Sequence, residues 1–160
     1  MRSVARASVG LALVLMAVLT VSGCDGNATG PLAAKRSVVE MVTKSTEAVG
    51  GDWTLYRGPD AEVCEQSDGE EGARFVYILE RAGADGSAPE TDIATVEELW
   101  KSKGITTERF ASGGADPLTG IRGVGGPVTS VGFNAYPQRY SVTGVSKCSS
   151  GNVKDLRQPE

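Results

Sequence analysis

Apolar and polar positions along this chain follow three rhythms. The first is a nearly unbroken apolar run, VGLALVLMAVLTV, from Val9 to Val21. The second is helical. Val38, Met41, Val42, Ser45 and Val49 share one face and predict a helix from about Arg36 to Val49. Ser37 and Glu40 stand at capping-box spacing, and Gly50-Gly51 supplies the stop. Val96, Leu99 and Trp100 predict a second helix from Asp92 or Thr95 to Lys103, with Thr95 and Glu98 at capping spacing and Gly104 as the stop. Its acids Glu97 and Glu98 lie early and Lys101 and Lys103 late, as the helix dipole favours. Trp100 reads as a core anchor.

The third rhythm is extended. Trp53–Tyr56 predicts a short strand stopped by Gly58-Pro59-Asp60. Arg74–Arg81, RFVYILER, is the strongest strand, and its continuous apolar run places it inside a sheet covered on one face. Further strands are predicted at Ile105–Ala111, Ile121–Val124, Val128–Ala135 and Tyr140–Cys148, punctuated by Gly113-Gly114 and Gly125-Gly126-Pro127. Together these elements predict a single α+β domain, with an antiparallel sheet of about five strands and two helices packed on one face. The expected organisation is a signal over residues 1–23, a lipidated N-terminus and tether over 24–35, the domain over 36–150, and a loose polar tail over 151–160.

The N-terminal run changes the picture most. MRSVARAS carries Arg2 and Arg6 and no acid, and the apolar stretch behind it is short for a membrane span. Val21-Ser22-Gly23-Cys24 then has the form of a lipobox: a branched aliphatic residue, two small residues and an acceptor cysteine. The alternative is an ordinary secretory signal with a chance cysteine. A diacylglyceryl group on Cys24 supplies two acyl chains, such as palmitate, and two chains anchor stably where one does not. The expected location is the extracytoplasmic face of the cell membrane.

Charge and cysteine count narrow the classes. Without residues 1–23 the chain keeps 14 basic and 20 acidic residues, a net charge of −6. That argues against nucleic-acid binding and against attachment to anionic lipid by charge alone. With Cys24 committed to lipid, Cys64 and Cys148 remain as a pair in an oxidising compartment, which predicts a disulfide; two reduced buried thiols are the alternative. The chain has no histidine. This removes histidine-dependent triads and histidine zinc sites, and no metal or cofactor is expected.

Other motifs carry less. Ser67–Gly72, SDGEEG, reads as a charged hairpin tip and lacks EF-hand spacing. Gly120–Gly126, GIRGVGG, lacks the P-loop ending and reads as a glycine turn between strands. Asn27-Ala28-Thr29 matches a sequon, and Thr29 is open to O-glycosylation. Glu80, Glu97 and Glu98 offer carboxylates for acid–base work if the fold pairs them. Trp53, Phe133 and Tyr136, together with Tyr56 and Tyr140, are candidates to line a ligand groove, with ordinary sheet packing as the alternative.

The order of several short motifs resembles the LppA-like lipoproteins of mycobacteria and their actinobacterial relatives. These are Cys24, Gly50-Gly51-Asp52-Trp53, Gly58-Pro59, Cys64, the Trp100 helix stopped by Gly104-Ile105, and the closing VTGVSKC from Val142 to Cys148. The resemblance implies a lipid-anchored envelope domain, supports the pairing of Cys64 with Cys148, and lends no catalytic residue.

The expected function is a non-enzymatic, membrane-anchored lipoprotein of the cell envelope with a binding or accessory role. Its partners would be the membrane, through Cys24, and an unknown envelope protein or small ligand. A carrier of a small hydrophobic molecule on the sheet face and a carboxylate-dependent hydrolase are the alternatives. The anchor is directly testable. Cys24→Ala is expected to release the protein from membranes or block its processing, read as loss of detergent-phase partitioning; unchanged partitioning would contradict lipidation.

Overall fold

A computed structural model of the chain describes residues 30–83, 88–114, 117–136 and 138–157. The signal, Cys24 and Thr29 lie outside the described residues. The elements run α1 (Pro31–Val49), β1 (Thr54–Glu65), β2 (Glu71–Ala82), α2 (Pro89–Ser102), β3 (Ile105–Ala111), β4 (Thr119–Gly125), β5 (Ser130–Tyr136), β6 (Arg139–Val145) and α3 (Val153–Leu156). The six strands form one antiparallel sheet in the order β1-β2-β6-β5-β4-β3. The fold is therefore α+β with a single antiparallel sheet, having six strands and three helices among the described residues where about five and two were expected. The last strand enters the middle, where it joins the β1–β2 hairpin to the β3–β4–β5 meander.

Both long helices begin earlier than their capping signals suggest. α1 starts at Pro31 and α2 at Pro89, each with proline in the first turn and no side-chain cap. Proline suits that position because its fixed φ is helical and its missing N–H would be unpaired there anyway. The Ser37/Glu40 and Thr95/Glu98 boxes are thus inside helices; the Thr95 hydroxyl instead donates back to the Thr91 carbonyl at 3.0 Å. Gly50 and Gly104 do end the helices, with φ of 74° at both. The stripe Val38, Met41, Val42 and Ser45 is buried as expected, and α2 adds Ile93, Val96 and Trp100.

Trp100 joins the layers. Its indole N–H donates to Ser45 Oγ at 2.8 Å, and that hydroxyl donates to the Met41 carbonyl at 2.7 Å. A fully buried indole is thereby satisfied, and α2 is tied to α1. The indole also lies against β4 at Gly123, where an added Cβ would stand 3.2 Å from the ring and 2.5 Å from Ile105 Cγ2. The glycines of GIRGVGG accordingly belong to a strand and its close contacts; only Gly125 and Gly126, with φ of 94° and 60°, turn the chain.

β5 and β6 alternate buried and half-buried positions along their length, the mark of a sheet with one covered face. Val131, Phe133, Ala135, Tyr140 and Val142 point into the helix layer, and Phe133 meets Tyr140 edge to face with ring centroids 5.6 Å apart. The expected stop at Gly58-Pro59-Asp60 is instead an irregularity within β1, where the register with β2 shifts twice between Leu55 and Asp60 and the Gly58-Pro59 bond is cis. An edge strand tolerates this because its outer N–H groups have no ladder to serve. Gly58 is required there, since a Cβ would stand 2.1 Å from the Val76 carbonyl oxygen.

The tail expected to be loose carries α3. Asn152 caps it through the Lys154 amide, Val153 is buried, and Arg157 Nε donates to the Ala61 carbonyl of β1 at 2.9 Å.

Cys64 and Cys148 form the disulfide, with Cα atoms 5.9 Å apart across 84 residues. The two segments are not neighbouring strands, as the pairing first suggests; β2 lies between β1 and β6. The chain past β6 makes this possible. Ser146 Oγ accepts from the Phe75 amide, and pairing resumes as Ala73 with Ser149, one residue out of step with Val76 and Val145. That extra residue inverts the side-chain alternation, bringing Cys148 into phase with Cys64. Gly72 leaves the crossing open: a Cβ there would stand 2.6 Å from the Ser149 carbonyl oxygen and 2.9 Å from Cys148 Sγ. Gly72→Ala is expected to destabilise the fold by about 1–3 kcal/mol, the usual cost of overpacking. Gly132→Ala, whose Cβ meets nothing within 4 Å, serves as the control and should leave the melting temperature nearly unchanged. Equal melting temperatures for the two variants would contradict this account of the crossing.

Candidate functional site

The two long helices divide the sheet between them. α1 lies over β2 and β6, and α2 over β3, β4 and β5. β1 therefore extends past the flank of α1, and the single turn of α3 packs on it. Its larger aliphatic side chains stay in solvent, Leu55 61% exposed and Val63 54%, while the small Ala61 is buried. Between α1 and the irregular middle of β1 lies a groove of about 750 Å³, lined by Lys35, Arg36, Val39, Thr43, Pro59 and Tyr77 among others. Val39 and Tyr77 rest against the core and form the floor with Pro59.

The rim of the groove is charged. Lys44 is held by Glu40, its neighbour one helical turn earlier, and this pairing lowers the Glu40 carboxyl below its ordinary value. Lys35 and Arg36 make no ion pair among the described residues. An apolar floor with a few charged groups at its edge is the usual composition of a small-molecule or peptide-binding surface.

A second concavity, of about 480 Å³, lies on the helix-free face of the sheet. Its lining includes Thr106, Glu108, Arg122, Ser130, Gly132 and Thr143. Arg122 grips Glu108 with two hydrogen bonds of 3.1 Å each, raising the guanidinium and lowering the carboxyl relative to their ordinary values. The trough mixes Val124 and Val131 with these polar groups and is partly filled by its own ion pair.

The aromatic candidates do not converge on either concavity. Phe133 and Tyr140 are fully buried beneath the helices and face no solvent. Tyr136 points to the helix-free face at the end of β5, and Tyr56 stands exposed on β1. Trp53 belongs to a clamp around Arg81. The guanidinium lies 5.3 Å from the Trp53 ring and 4.3 Å from the Tyr140 ring. Its Nη1 donates to the Gly50 carbonyl at 2.9 Å, and Nη2 stands 3.6 Å from Asp92, which also accepts from the Tyr140 hydroxyl at 2.8 Å. Gly51 makes the room, since a Cβ there would stand 2.4 Å from Arg81 Nη1. The Gly50-Gly51-Asp52-Trp53 motif thus serves packing at the joint between the C-terminus of α1 and the first turn of α2.

The acids are likewise dispersed. Glu80 faces Arg139 at 3.6 Å on the helix-free side, Glu97 is engaged by cations on α2 and β3, and Glu98 is exposed. Among the described residues no group of three or more His, Cys, Asp or Glu is placed to hold a metal ion. No helix among them is long and apolar enough to cross a membrane. The groove residues were not singled out from the sequence. Lys35 fell in the expected tether, Pro59 in an expected turn and Tyr77 inside the strongest strand. The one available signal was Val39, an apolar residue just off the stripe of α1.

The fold and groove together define an α+β domain with a half-covered sheet and a lateral apolar groove. No protein-family model matches the chain, and no curated protein matches it. Among solved structures it is similar to the crystal structure of a DUF4853 family protein from Actinomyces odontolyticus ATCC 17982. The two are 20% identical with a TM-score of 0.50, over 74% of this chain and 63% of that one. The chain thus spans less than two thirds of that protein's length, and the likeness is one of fold.

Charge also fastens the far edge of the sheet. Glu97 on α2 is 16% exposed and is contacted by Lys101 Nζ at 2.7 Å, Arg109 Nη2 at 2.6 Å and Thr107 Oγ1 at 3.2 Å. The hydrogen bond from Lys101 and then that from Arg109 hold its carboxyl at about 2, against an ordinary 4.5. A depressed folded-state value means that the stabilisation is complete above about 4.5 and fades as the pH falls towards 2. Glu97→Gln is therefore expected to lower the melting temperature at pH 7, with the difference from the parent protein shrinking between pH 4.5 and 2. Thermal melts across that range check this, and a difference independent of pH would contradict it.

Proposed function

We propose that the protein is a membrane-tethered lipoprotein of the cell envelope, held through acylated Cys24, whose domain is a non-enzymatic binding module. The groove between α1 and β1 is its binding site. The observation that carries this reading is the apolar floor left open beside α1, where Val39, Pro59 and Tyr77 line about 750 Å³. Exposed apolar surface that is contiguous and rimmed by charge marks interaction sites more often than it marks incidental surface. The lipobox and the resemblance to LppA-like lipoproteins support the tether, and the engagement of Glu40, Glu80, Glu97 and Glu108 by basic side chains favours binding over carboxylate chemistry.

A carrier role on the sheet face is the second reading, favoured by the trough beside Arg122. Its threonines, serine and ion pair stand beside Val124 and Val131, a lining that suits a small ligand with both polar and apolar groups.

The groove reading is tested with Nile red, a neutral apolar dye, and the mature chain carrying Cys24→Ala so that no detergent is needed. Dye fluorescence is expected to rise and saturate. Thr43→Trp, which fills the groove from its helix side, is expected to abolish the rise while leaving the circular dichroism spectrum intact. Unchanged dye binding by a folded Thr43→Trp variant would overturn the assignment.

A further inference from the structure

We propose that the ligand of the α1–β1 groove is an anionic membrane lipid, with one acyl chain along the apolar floor and its phosphate head against Lys35 and Arg36. This rests on the groove being the binding site. Three observations converge on it.

The first is shape. The lining residues of α1 run from Lys35 to Glu47, a length of roughly 18 Å along the helix axis. The floor beneath them, Val39, Pro59 and Tyr77, is apolar and open, and takes a flexible acyl chain more readily than a rigid polar ligand.

The second is the distribution of charge. Lys44 is neutralised by Glu40, but Lys35 and Arg36 are exposed and make no ion pair among the described residues. Both lie near the N-terminus of a 19-residue helix that has no acid in its first turn. The two cations stand just past that first turn with no ion pair to offset them among the described residues, and an external anion would supply the missing countercharge. The opposite end of the groove carries Glu47, also without an ion pair among the described residues, so the groove has a positive head end and a negative tail end.

The third is position. Cys24 stands seven residues before Pro31, and a chain of that length reaches at most about 24 Å. The positive end of the groove is therefore the end nearest the tether, within reach of phosphates at the membrane surface.

The test uses the mature chain with Cys24→Ala and calorimetric titration with dodecyl phosphate below its micelle concentration. Dodecyl maltoside, with the same tail and a neutral head, and inorganic phosphate, with the head alone, are the comparisons. Dodecyl phosphate is expected to bind most tightly, inorganic phosphate not measurably, and the double variant Lys35→Glu/Arg36→Glu to weaken dodecyl phosphate by about tenfold or more, to the level of the maltoside. Both substituted positions are exposed, so the fold is expected to persist; Thr43→Trp supplies an independent steric block. In a second arm, the same chain is expected to take up labelled phosphatidylglycerol from phosphatidylcholine vesicles, and the double variant much less. Equal binding of phosphate and maltoside amphiphiles, unaffected by the double variant, would overturn the anionic head while leaving the groove in place. Binding of neither amphiphile would overturn the groove as well. Tight binding of inorganic phosphate alone, or of dodecyl phosphate without uptake of phosphatidylglycerol, would overturn the membrane-lipid assignment.

Discussion

Two helices packed side by side span about 20 Å, whereas six strands at a spacing of about 4.8 Å span roughly 24 Å between the edge strands alone. One strand must lie outside the helix layer, and in this domain it is β1. α1 covers the β2–β6 centre and α2 the β3–β4–β5 side, and this division decides where the core is closed and where apolar surface is left over. The exposure of Leu55 and Val63, the groove beside Val39 and Tyr77, and the need for α3 and Arg157 to hold the outer strand all follow from it.

The helix layer is fixed in place by side chains that bridge it to the sheet. Trp100 reaches Ser45 of α1 and presses on Gly123 of β4, so α2 cannot slide without opening a buried hydrogen bond and a close contact together. Arg81 does the same at the other end, between the last carbonyl of α1 and the first turn of α2. Losing the Ser45 hydroxyl would strand the buried indole N–H, which is costlier than losing the bond alone. With α2 tied near both of its ends to the C-terminal part of α1, the spacing of the two helices over the sheet becomes a property of the fold rather than of a mobile loop.

Much of the domain was legible in the sequence because local signals and burial agree there. The stripe of α1, the Trp100 helix, the strand Ile105–Ala111 and the Cys64–Cys148 pair each read correctly. Failures fall where a local signal has two physical uses. Gly58-Pro59 suits a turn and also an irregular edge strand, and only pairing with β2 selects the second. The glycines of β4 suit a turn and also close packing against Trp100 and Phe110. Ser37 and Glu40 have capping spacing, but Pro31 offers a better start one turn and a half earlier. Phe133 alternates like any inward residue, so nothing local separated a core ring from a ligand ring. The groove was invisible for a deeper reason. Lys35, Pro59 and Tyr77 come from three elements, and their convergence depends on which strand the helix pair leaves uncovered.

The central claim is that this uncovered flank, and not the trough on the opposite face, is where the domain binds. Amide chemical-shift mapping of the Cys24→Ala chain with octyl glucoside below its micelle concentration tests it most directly. The account predicts perturbations confined to α1 between Lys35 and Glu47 and to β2 around Tyr77. Perturbations centred on Thr106, Arg122 and Gly132, with α1 unmoved, would contradict it.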